Sequence, residues 1–238
     1  ETYTLVQDNM FGLCDVEAGP GTVAGVVETY QDEPLENVNM QLSGERSGAS
    51  LTNAQGEYSF INLQLGNDYT VTPMLDENPL NGVSTFDIVL MTQHILGVRP
   101  FDTPYQYLAA DIDNSQRITI LDLINLRRLI LSVDVRFANN TSWRFVDAAY
   151  NFPQLTNPWL EEFPEIININ NLQGIITDAD FVAIKVGDID NSARTNSILG
   201  TEVRDIKGTF NFEVADEQLA AGNEYTVDFR ASDIADIQ

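Results

Sequence analysis

The chain has 238 residues, 43% of them hydrophobic, and its 36 acidic and 12 basic residues give a formal net charge of −24. This length and apolar content allow one large domain or a few small ones, each with a buried core. The acidic excess argues against nucleic acid and anionic membranes as partners, because few basic side chains could neutralise phosphate. We expect no nucleic-acid binding and, since no apolar run is long enough, no membrane insertion.

Cysteine usage and charge together favour an extracellular protein. Cys14 is the only cysteine, so the sequence offers neither a disulfide framework nor a thiolate zinc cluster. Acidic surfaces repel themselves unless cations bind, and calcium prefers the oxygen ligands that such surfaces offer. No charged and apolar leader follows Glu1, which we interpret as a mature or excised segment. We therefore expect a secreted, extracellular or cell-surface location.

The first part of the chain has the pattern of short β-strands. Residues 1–20, which include ETYTLVQDNMFGLC, predict a terminal strand of an upstream β domain. Residues 21–75 contain TVAGVVET, NVNMQLSG, SGASLTN, GEYSFINL and DYTVTPML, separated by turn residues. This pattern predicts a small all-β sandwich.

Two phrases in this region carry a family resemblance. AGVVETYQDEPLENVNMQLSG and LTNAQGEYSFINLQLGNDYTVTP resemble the collagen-adhesin B-type and carboxypeptidase-regulatory-like β-sandwiches. The NAQGEYSF turn and strand are the most specific part. The resemblance implies a spacer or stalk module that has no catalysis of its own.

Residues 76–193 contain an internal repeat. STFDIVLMTQHILG and TILDLINLRRLILS are apolar at helical spacing, and each begins at a Ser or Thr that can cap a helix. A weaker third copy, ITDADFVAIKVGD, places Ile176, Thr177 and Asp180 in the same [V/I]-[S/T]-x-x-D frame. Because such short helices are unstable alone, we expect them to pack on one another.

An aromatic-rich insertion, residues 133–168, separates the second and third copies. We predict an ordered loop that lays five aromatic side chains over the helical core: Trp143, Phe145, Tyr150, Phe152 and Trp159. A disordered linker is the alternative, but such linkers are poor in aromatic residues. Asn139 and Asn140 each begin an N-x-[S/T] sequon, a glycosylation signal in a host that modifies asparagine.

The loop before the second helix has the spacing of an EF-hand-type calcium loop. Such loops supply oxygen ligands from positions 1, 3, 5, 7, 9 and 12. These positions hold Asp111, Asp113, Ser115, Arg117 through its carbonyl, Thr119 and Asp122. Gln116 replaces the glycine that is usual at position 6, so the sharpness of this turn is in question.

The loop before the first helix departs from the pattern. Its positions 1, 3, 7, 9 and 12 hold Asp76, Asn78, Gly82, Ser84 and Asp87, but Leu80 occupies position 5. The phrase DIDNS at 111–115 returns at 188–192 with no helix after it. We hypothesise that Asp188 and Asp190 either complete the Asp76–Asp87 loop or form a separate site with Asp178 or Asp180. The sequence thus predicts two or more calcium ions.

An aspartate at position 12, followed by a leucine-rich helix and present twice, resembles the type I dockerin family. The resemblance covers about residues 76–134, with the third copy as an extension. It implies paired calcium sites and docking onto a cohesin-like partner.

A linker at 194–206 then leads to the last region, residues 207–238. There KGTFNFEVADEQ and EYTVDFRASDI alternate like the first strands of an incomplete, cohesin-like β-sandwich.

These expectations define the fold class as multidomain: an all-β sandwich, a small α-helical calcium-loop module and a partial β-sandwich. Strands left unpaired at the ends could pair with neighbouring copies or domains of the same protein, head to tail, to form a fibre. Truncation of a longer chain would explain the same ends.

The sequence offers no catalytic constellation. His94 is the only histidine, and Glu161 and Glu162 are adjacent in a proline-flanked loop, where they cannot face each other across a sugar. We expect a non-enzymatic, calcium-stabilised segment of a surface protein that serves as stalk, adhesin or filament subunit. The alternative is a dockerin-type module that recruits a cohesin-like partner or a polysaccharide-degrading complex.

Overall fold

A computed structural model describes residues 20–196, 211–213 and 230–232, and all structural statements below concern these residues. The chain divides into two compact units, one within residues 1–199 and the other within residues 200–238. The strand predicted in residues 1–20 and most of the 194–206 linker lie outside the described residues. In the second unit, two predicted strands form an antiparallel pair, Asn211–Glu213 with Arg230–Ser232.

The five strands predicted between residues 21 and 75 are confirmed. They are β1 Gly21–Thr29, β2 Asn39–Gly44, β3 Gly48–Leu51, β4 Glu57–Leu63 and β5 Tyr69–Met74. Along β1, fully buried and partly exposed residues alternate, as expected for a strand with one face on a core.

Four further strands, all from the region after residue 75, complete the two sheets. They are β6 Trp143–Asp147, β7 Ile167–Ile169, β8 Ile175–Ile176 and β9 Phe181–Lys185. One sheet has the order β4-β1-β9-β6, with β8 also pairing with β1, and the other has the order β3-β2-β5-β7. The pairs β1-β8 and β1-β9 are parallel, whereas the others are antiparallel.

The two sheets share one apolar core. Val23 and Val27 from β1, Met40 from β2 and Val71 from β5 are fully buried in it together with Ala183 from β9. Packing of two sheet faces around such a core defines a β-sandwich. The sandwich therefore extends beyond the predicted range 21–75.

Three short helices form a second core. They are α1 Thr85–Ile95, α2 Pro104–Ala110 and α3 Ile120–Ile130. The predicted α1 and α3 are confirmed and pack on each other through Met91 and Leu126, both fully buried. The described residues contain no helix with the length and apolarity required to cross a bilayer.

The third repeat is not a loop-helix copy. Phe181–Lys185 forms β9, which pairs with β1 on one side and with β6 on the other. A continuous apolar run fits a strand buried on both faces. Long-range pairing therefore overrides the match of Ile176, Thr177 and Asp180 to the helical frame.

The aromatic insertion is ordered, but its five aromatic side chains do not all cover the helical core. Trp143 and Phe145 lie on β6 and belong to the sandwich core, contrary to the prediction. Tyr150, Phe152 and Trp159 pack against a smaller cluster that contains Leu108 of α2, and Trp159 also packs against the helical core. The strand β6 explains the difference, since its alternation turns its aromatic side chains towards the sheet interface.

Candidate metal centre

The contiguous loop, residues 111–122, folds around three carboxylates. One carboxylate oxygen from each of Asp111, Asp113 and Asp122 lies within 4.8 Å of the others. Thr119 caps α3 and forms a capping box with Asp122, whose Oδ2 accepts from the Thr119 backbone N–H at 2.8 Å. The helix cap therefore aims Asp122 at the loop.

A second cluster is built from two distant parts of the chain. It contains Asp87 of the first turn of α1 together with Asp188 and Asp190, again with oxygens within 4.8 Å of one another. Ser84 caps α1 and forms a capping box with Asp87. We call this arrangement, residues 82–87 with 188–193, the split loop. It corresponds in part to the first alternative predicted for the second DIDNS phrase, since Asp188 and Asp190 join Asp87 but not Asp76.

The two loops share a hydrogen-bond pattern in their first halves. In the contiguous loop, Asp111 accepts from the backbone N–H groups of Ser115 and Gln116, both at 2.8 Å. In the split loop, Asp188 accepts from the N–H groups of Ser192 at 3.0 Å and Ala193 at 2.7 Å. Asp188 therefore occupies the place of Asp111 at position 1.

The closing aspartates also correspond. Asp122 Oδ1 accepts from the Ile112 N–H at 2.9 Å, and Asp87 Oδ1 accepts from the Ile189 N–H at 2.8 Å. Each closing carboxylate thus binds the backbone of the residue after position 1. In the split loop this bond joins residues 102 positions apart.

Position 7 is matched as well. The Ser115 hydroxyl donates to the Arg117 carbonyl at 3.3 Å, and the Ser192 hydroxyl donates to the Gly82 carbonyl at 3.1 Å. Gly82 thus supplies the carbonyl predicted for it, although its loop partners come from residues 188–192. Gln116 adopts φ +61°, so a glutamine accommodates the turn at position 6.

Each cluster contains one buried oxygen without a hydrogen-bond partner. These oxygens are Asp113 Oδ1 and Asp190 Oδ1, which occupy the same position 3 of the two loops. Buried polar atoms are normally paired, because an unpaired one loses its hydration without compensation. Carboxylate, hydroxyl and carbonyl oxygens in this arrangement are the donors that Ca²⁺ prefers. Both clusters could therefore hold a metal ion.

Several predicted ligands lie elsewhere. Asp76 is exposed, and its Oδ1 accepts from the Ser142 N–H at 2.7 Å. Among the described residues, Asp76 joins neither acidic cluster. Asp180 Oδ1 accepts from the Val26 N–H at 2.7 Å, beside the sandwich, and Asp178 is exposed. The single loop predicted from Asp76 to Asp87 is thus replaced by the split loop, because Asp188 and Asp190 fill positions 1 and 3.

Burial opposes ionisation of these carboxyl groups. Desolvation raises the pKa of Asp111 to about 6, with smaller contributions from the charges of Asp122 and Asp113. Desolvation likewise raises the pKa of Asp188 to about 7 and raises the pKa values of Asp87 and Asp122. A bound divalent cation would favour the ionised forms, so metal binding and ionisation are coupled.

Lys185 lies beside the split loop and was not singled out by the sequence. Only 1% of its surface is exposed, and burial lowers the pKa of its amine to about 7, although Asp188, Asp76 and Asp87 act in the opposite direction. The sequence signal was a lone lysine inside the apolar run FVAIKVGDI. Such a residue is costly unless it has partners.

The two sequons differ in their surroundings. Asn139 is exposed, whereas the amide of Asn140 donates to the Asp111 carbonyl at 2.9 Å and so supports the contiguous loop. His94, the sole histidine, stacks on Phe101 with ring centroids 4.0 Å apart. Glu161 and Glu162 are exposed.

Comparisons with known proteins give no relative: no protein-family model, no curated protein and no solved structure matches the chain.

Proposed function

We propose that this chain is a non-catalytic, calcium-stabilised structural segment of an extracellular surface protein, used as stalk, adhesin or filament subunit. The observation that carries the proposal is the duplication of one loop geometry at two places in one compact unit. Each copy has three clustered carboxylates, a capped helix that supplies the closing one, and a buried unpaired oxygen at position 3.

The position of the split loop supports a structural role for the metal. Asp188 lies three residues after the end of β9, which is an inner strand of the sandwich, and Asp87 lies in α1 of the helical core. A cation held by both would join the two cores. Ions that close long chain loops stabilise folds by restricting the unfolded chain.

Calcium-dependent unfolding tests the proposal. A site filled at 100 times its Kd adds about 2.7 kcal/mol, so two sites would add about 5 kcal/mol. For a unit of this size, this corresponds to a rise in Tm of about 10 to 20 °C. Calorimetry with calcium and with a chelator measures the shift, and magnesium at equal concentration is the control. An identical Tm with calcium and with chelator would refute calcium stabilisation.

Assembly through strand edges is part of this proposal. The strands β3, β4, β6 and β7 end the two sheets among the described residues, and exposed edges can accept a strand from another chain. Electron microscopy of the protein at high concentration with calcium checks this. Dispersed monomers alone would argue against a filament.

A second candidate, docking of a cohesin-like partner, is favoured by a duplicated apolar surface. Phe86 and Leu121 stand at equivalent positions of α1 and α3 and are 52% and 53% exposed; Val89 and Ile124 are equivalent and both 47% exposed. Apolar surface rimmed by polar residues marks interaction sites. Calorimetric titration with a panel of cohesins tests this candidate, with the double variant F86S/L121S as the control for the surface.

A further inference from the structure

A cleft lined by residues of both sheets lies beside the contiguous loop. Its volume is about 790 Å³, within the range of roughly 300 to 1,000 Å³ that is usual for small-molecule sites. The strands β2, β3 and β5 of one sheet contribute to its lining, and so do residues 138–141 and the strand β6 of the other sheet. The cleft therefore has room for a small organic ligand.

Asparagine side chains are concentrated in the lining of this cleft: Asn37, Asn39, Asn114, Asn139 and Asn140. Each amide can both donate and accept hydrogen bonds. Asn114 accepts from Arg144 at 3.0 Å, and Asn140 donates to the Asp111 carbonyl at 2.9 Å. Within residues 20–196, the side chains of Asn37, Asn39 and Asn139 make no hydrogen bond. Two amides thus hold the wall in place, and three can bind a ligand.

One wall is held rigidly by the Arg144 side chain, which is only 10% exposed. Its Nε donates to Glu165 Oε1 at 2.8 Å, its Nη1 donates to Asn114, and its guanidinium lies 5.2 Å from the centre of the Phe163 ring. A wall that is already ordered lowers the entropy cost of binding.

The charges in the lining disfavour an anionic ligand. Asp76, Glu77 and Glu165 line the cleft, and among its described lining residues Arg144 is the basic one, with its charge paired to Glu165. These carboxylates can accept hydrogen bonds from neutral hydroxyl groups.

The apolar part of the lining is aliphatic and exposed. Leu51 of β3 and Met74 of β5 are 62% and 51% exposed, whereas Trp143 of β6 is buried. Sugar rings present both hydroxyl groups and C–H faces. The hydroxyl groups match the amides and carboxylates of this cleft, and the C–H faces can pack on the two aliphatic side chains.

We propose that this cleft binds a neutral oligosaccharide through the amides of Asn37, Asn39 and Asn139. The inference goes beyond the structural role proposed above and does not depend on calcium binding. It gives a surface protein a means of attachment to glycans. Because Asn139 also begins a sequon, a glycan linked to Asn139 would enter the same cleft, so the test uses protein produced without glycosylation.

Nuclear magnetic resonance of the full wild-type chain locates the site directly. The protein is titrated with cellotetraose, mannotetraose and chitotetraose at millimolar concentration. We expect at least one of them to shift the side-chain amide signals of Asn39 and Asn139. The signal of Asn170, which is exposed and does not line the cleft, should stay unchanged. Tetralysine is the probe for a cationic ligand.

Two variants test the amides. N39A and N139A should each weaken binding of that oligosaccharide about three- to tenfold, because each removes one or two hydrogen bonds to the ligand. N170A is the matched control and should bind as the wild-type chain does. Since Asn139 is exposed and makes no hydrogen bond within residues 20–196, N139A should keep the wild-type Tm, so its weaker binding cannot come from unfolding.

Three results would overturn the inference. They are the absence of binding by all three oligosaccharides, unchanged affinity in both N39A and N139A, and shifts of the cleft amides by tetralysine but by no oligosaccharide. None of these results alters the dependence of Tm on calcium, so the proposed function would stand. Conversely, a Tm that does not respond to calcium would leave the oligosaccharide site in place.

Discussion

The contiguous and split loops reach the same geometry by different routes. In the contiguous loop, the peptide chain itself carries positions 5 to 7 from Ser115 to Arg117. In the split loop, the segment from Asp188 supplies positions 1 to 6 and leaves the loop after Ala193. Position 7 is supplied by Gly82, more than 100 residues earlier in the sequence. The corresponding hydrogen bonds to Asp111 and Asp188 nevertheless differ in length by at most 0.2 Å.

The difference shows what defines this kind of site. Chain continuity is not required, because the position 1 and position 12 carboxylates organise the backbone through N–H groups in both loops. What the split loop needs in addition is a junction between its two segments. Close packing of Gly82 on Ala193 and paired hydrogen bonds between Asn81 and Arg194 provide this junction.

The largest effect is expected when that packing is disturbed. A Cβ on Gly82 would lie 2.6 Å from the Ala193 Cα and N atoms and 2.7 Å from Asp188 Oδ2, at φ +75°. Left-handed backbone and overpacking each cost about 1 to 2 kcal/mol, so we expect G82A to lower the free energy of unfolding by about 3 kcal/mol. Urea unfolding measures the loss.

Gly97 provides the matched control for this change. It has φ +68°, but a Cβ there would have no atom within 4 Å. G97A should therefore cost only about 1 to 2 kcal/mol, which is the contribution of the left-handed backbone. If G82A and G97A cost the same, the contact between the two segments has no special role in the split loop.

The next largest effect is expected in the pH dependence of the free energy of unfolding without metal, to which the two clusters should contribute differently. The pKa values of Asp188, about 7, and Asp111, about 6, lie above the unfolded value near 4. The folded state therefore holds these protons more tightly, and their contribution to stability is present at low pH and lost as pH rises through the folded pKa. We expect a loss on the order of 3 kcal/mol between pH 5 and pH 7.

Other groups do not reverse this trend in the same window. Lys185, whose folded pKa is about 7, holds its proton in both states up to that pH, and His94, whose pKa is lowered, opposes the trend only partly. Urea unfolding in a chelator at several pH values measures the slope. D188N should flatten it more than D111N does; equal slopes in the two variants would contradict the difference between the clusters.

Local patterns made part of this structure predictable. Alternation predicted β1 to β5, and capped periodicity predicted α1 and α3, because both signals lie within a few consecutive residues. The clustering of Asp111, Asp113 and Asp122 in the contiguous loop could be predicted for the same reason. The helix α2 was missed, although Thr103, Pro104 and Gln106 give it a capping box with proline at the first turn.

The remaining features depend on contacts between distant residues. Phe181–Lys185 matched the repeat frame locally, but pairing with β1 and β6 made it a strand. No helix follows Asp188 in the sequence to supply a closing aspartate. The sequence left two alternatives for its partners because spacing carries no information on which distant acidic residues lie nearby. The dockerin-like assignment stays a prediction.

The smallest effects are expected from the side chains that support each loop from outside. Asn81 exchanges two hydrogen bonds with the Arg194 backbone, at 2.8 and 3.0 Å, and Asn140 donates to the Asp111 carbonyl at 2.9 Å. Because each such bond contributes about 0.5 to 1 kcal/mol net, N140A should lower the free energy of unfolding by up to about 1 kcal/mol and N81A, which removes two bonds, by about 1 to 2 kcal/mol. N139A, on the exposed neighbour, should change it by less than about 0.5 kcal/mol.

Calcium titration of the same variants distinguishes the loops even where the stability losses are alike. N81A should weaken calcium binding to the split loop, since the Asn81 side chain joins residues 81 and 194, which lie next to the two ends of the segments that form this loop. N140A should weaken the contiguous-loop step, since it holds the backbone of position 1. If both variants weakened the same step, the two loops would not be independent sites, and the comparison between them would have to be replaced by one shared centre.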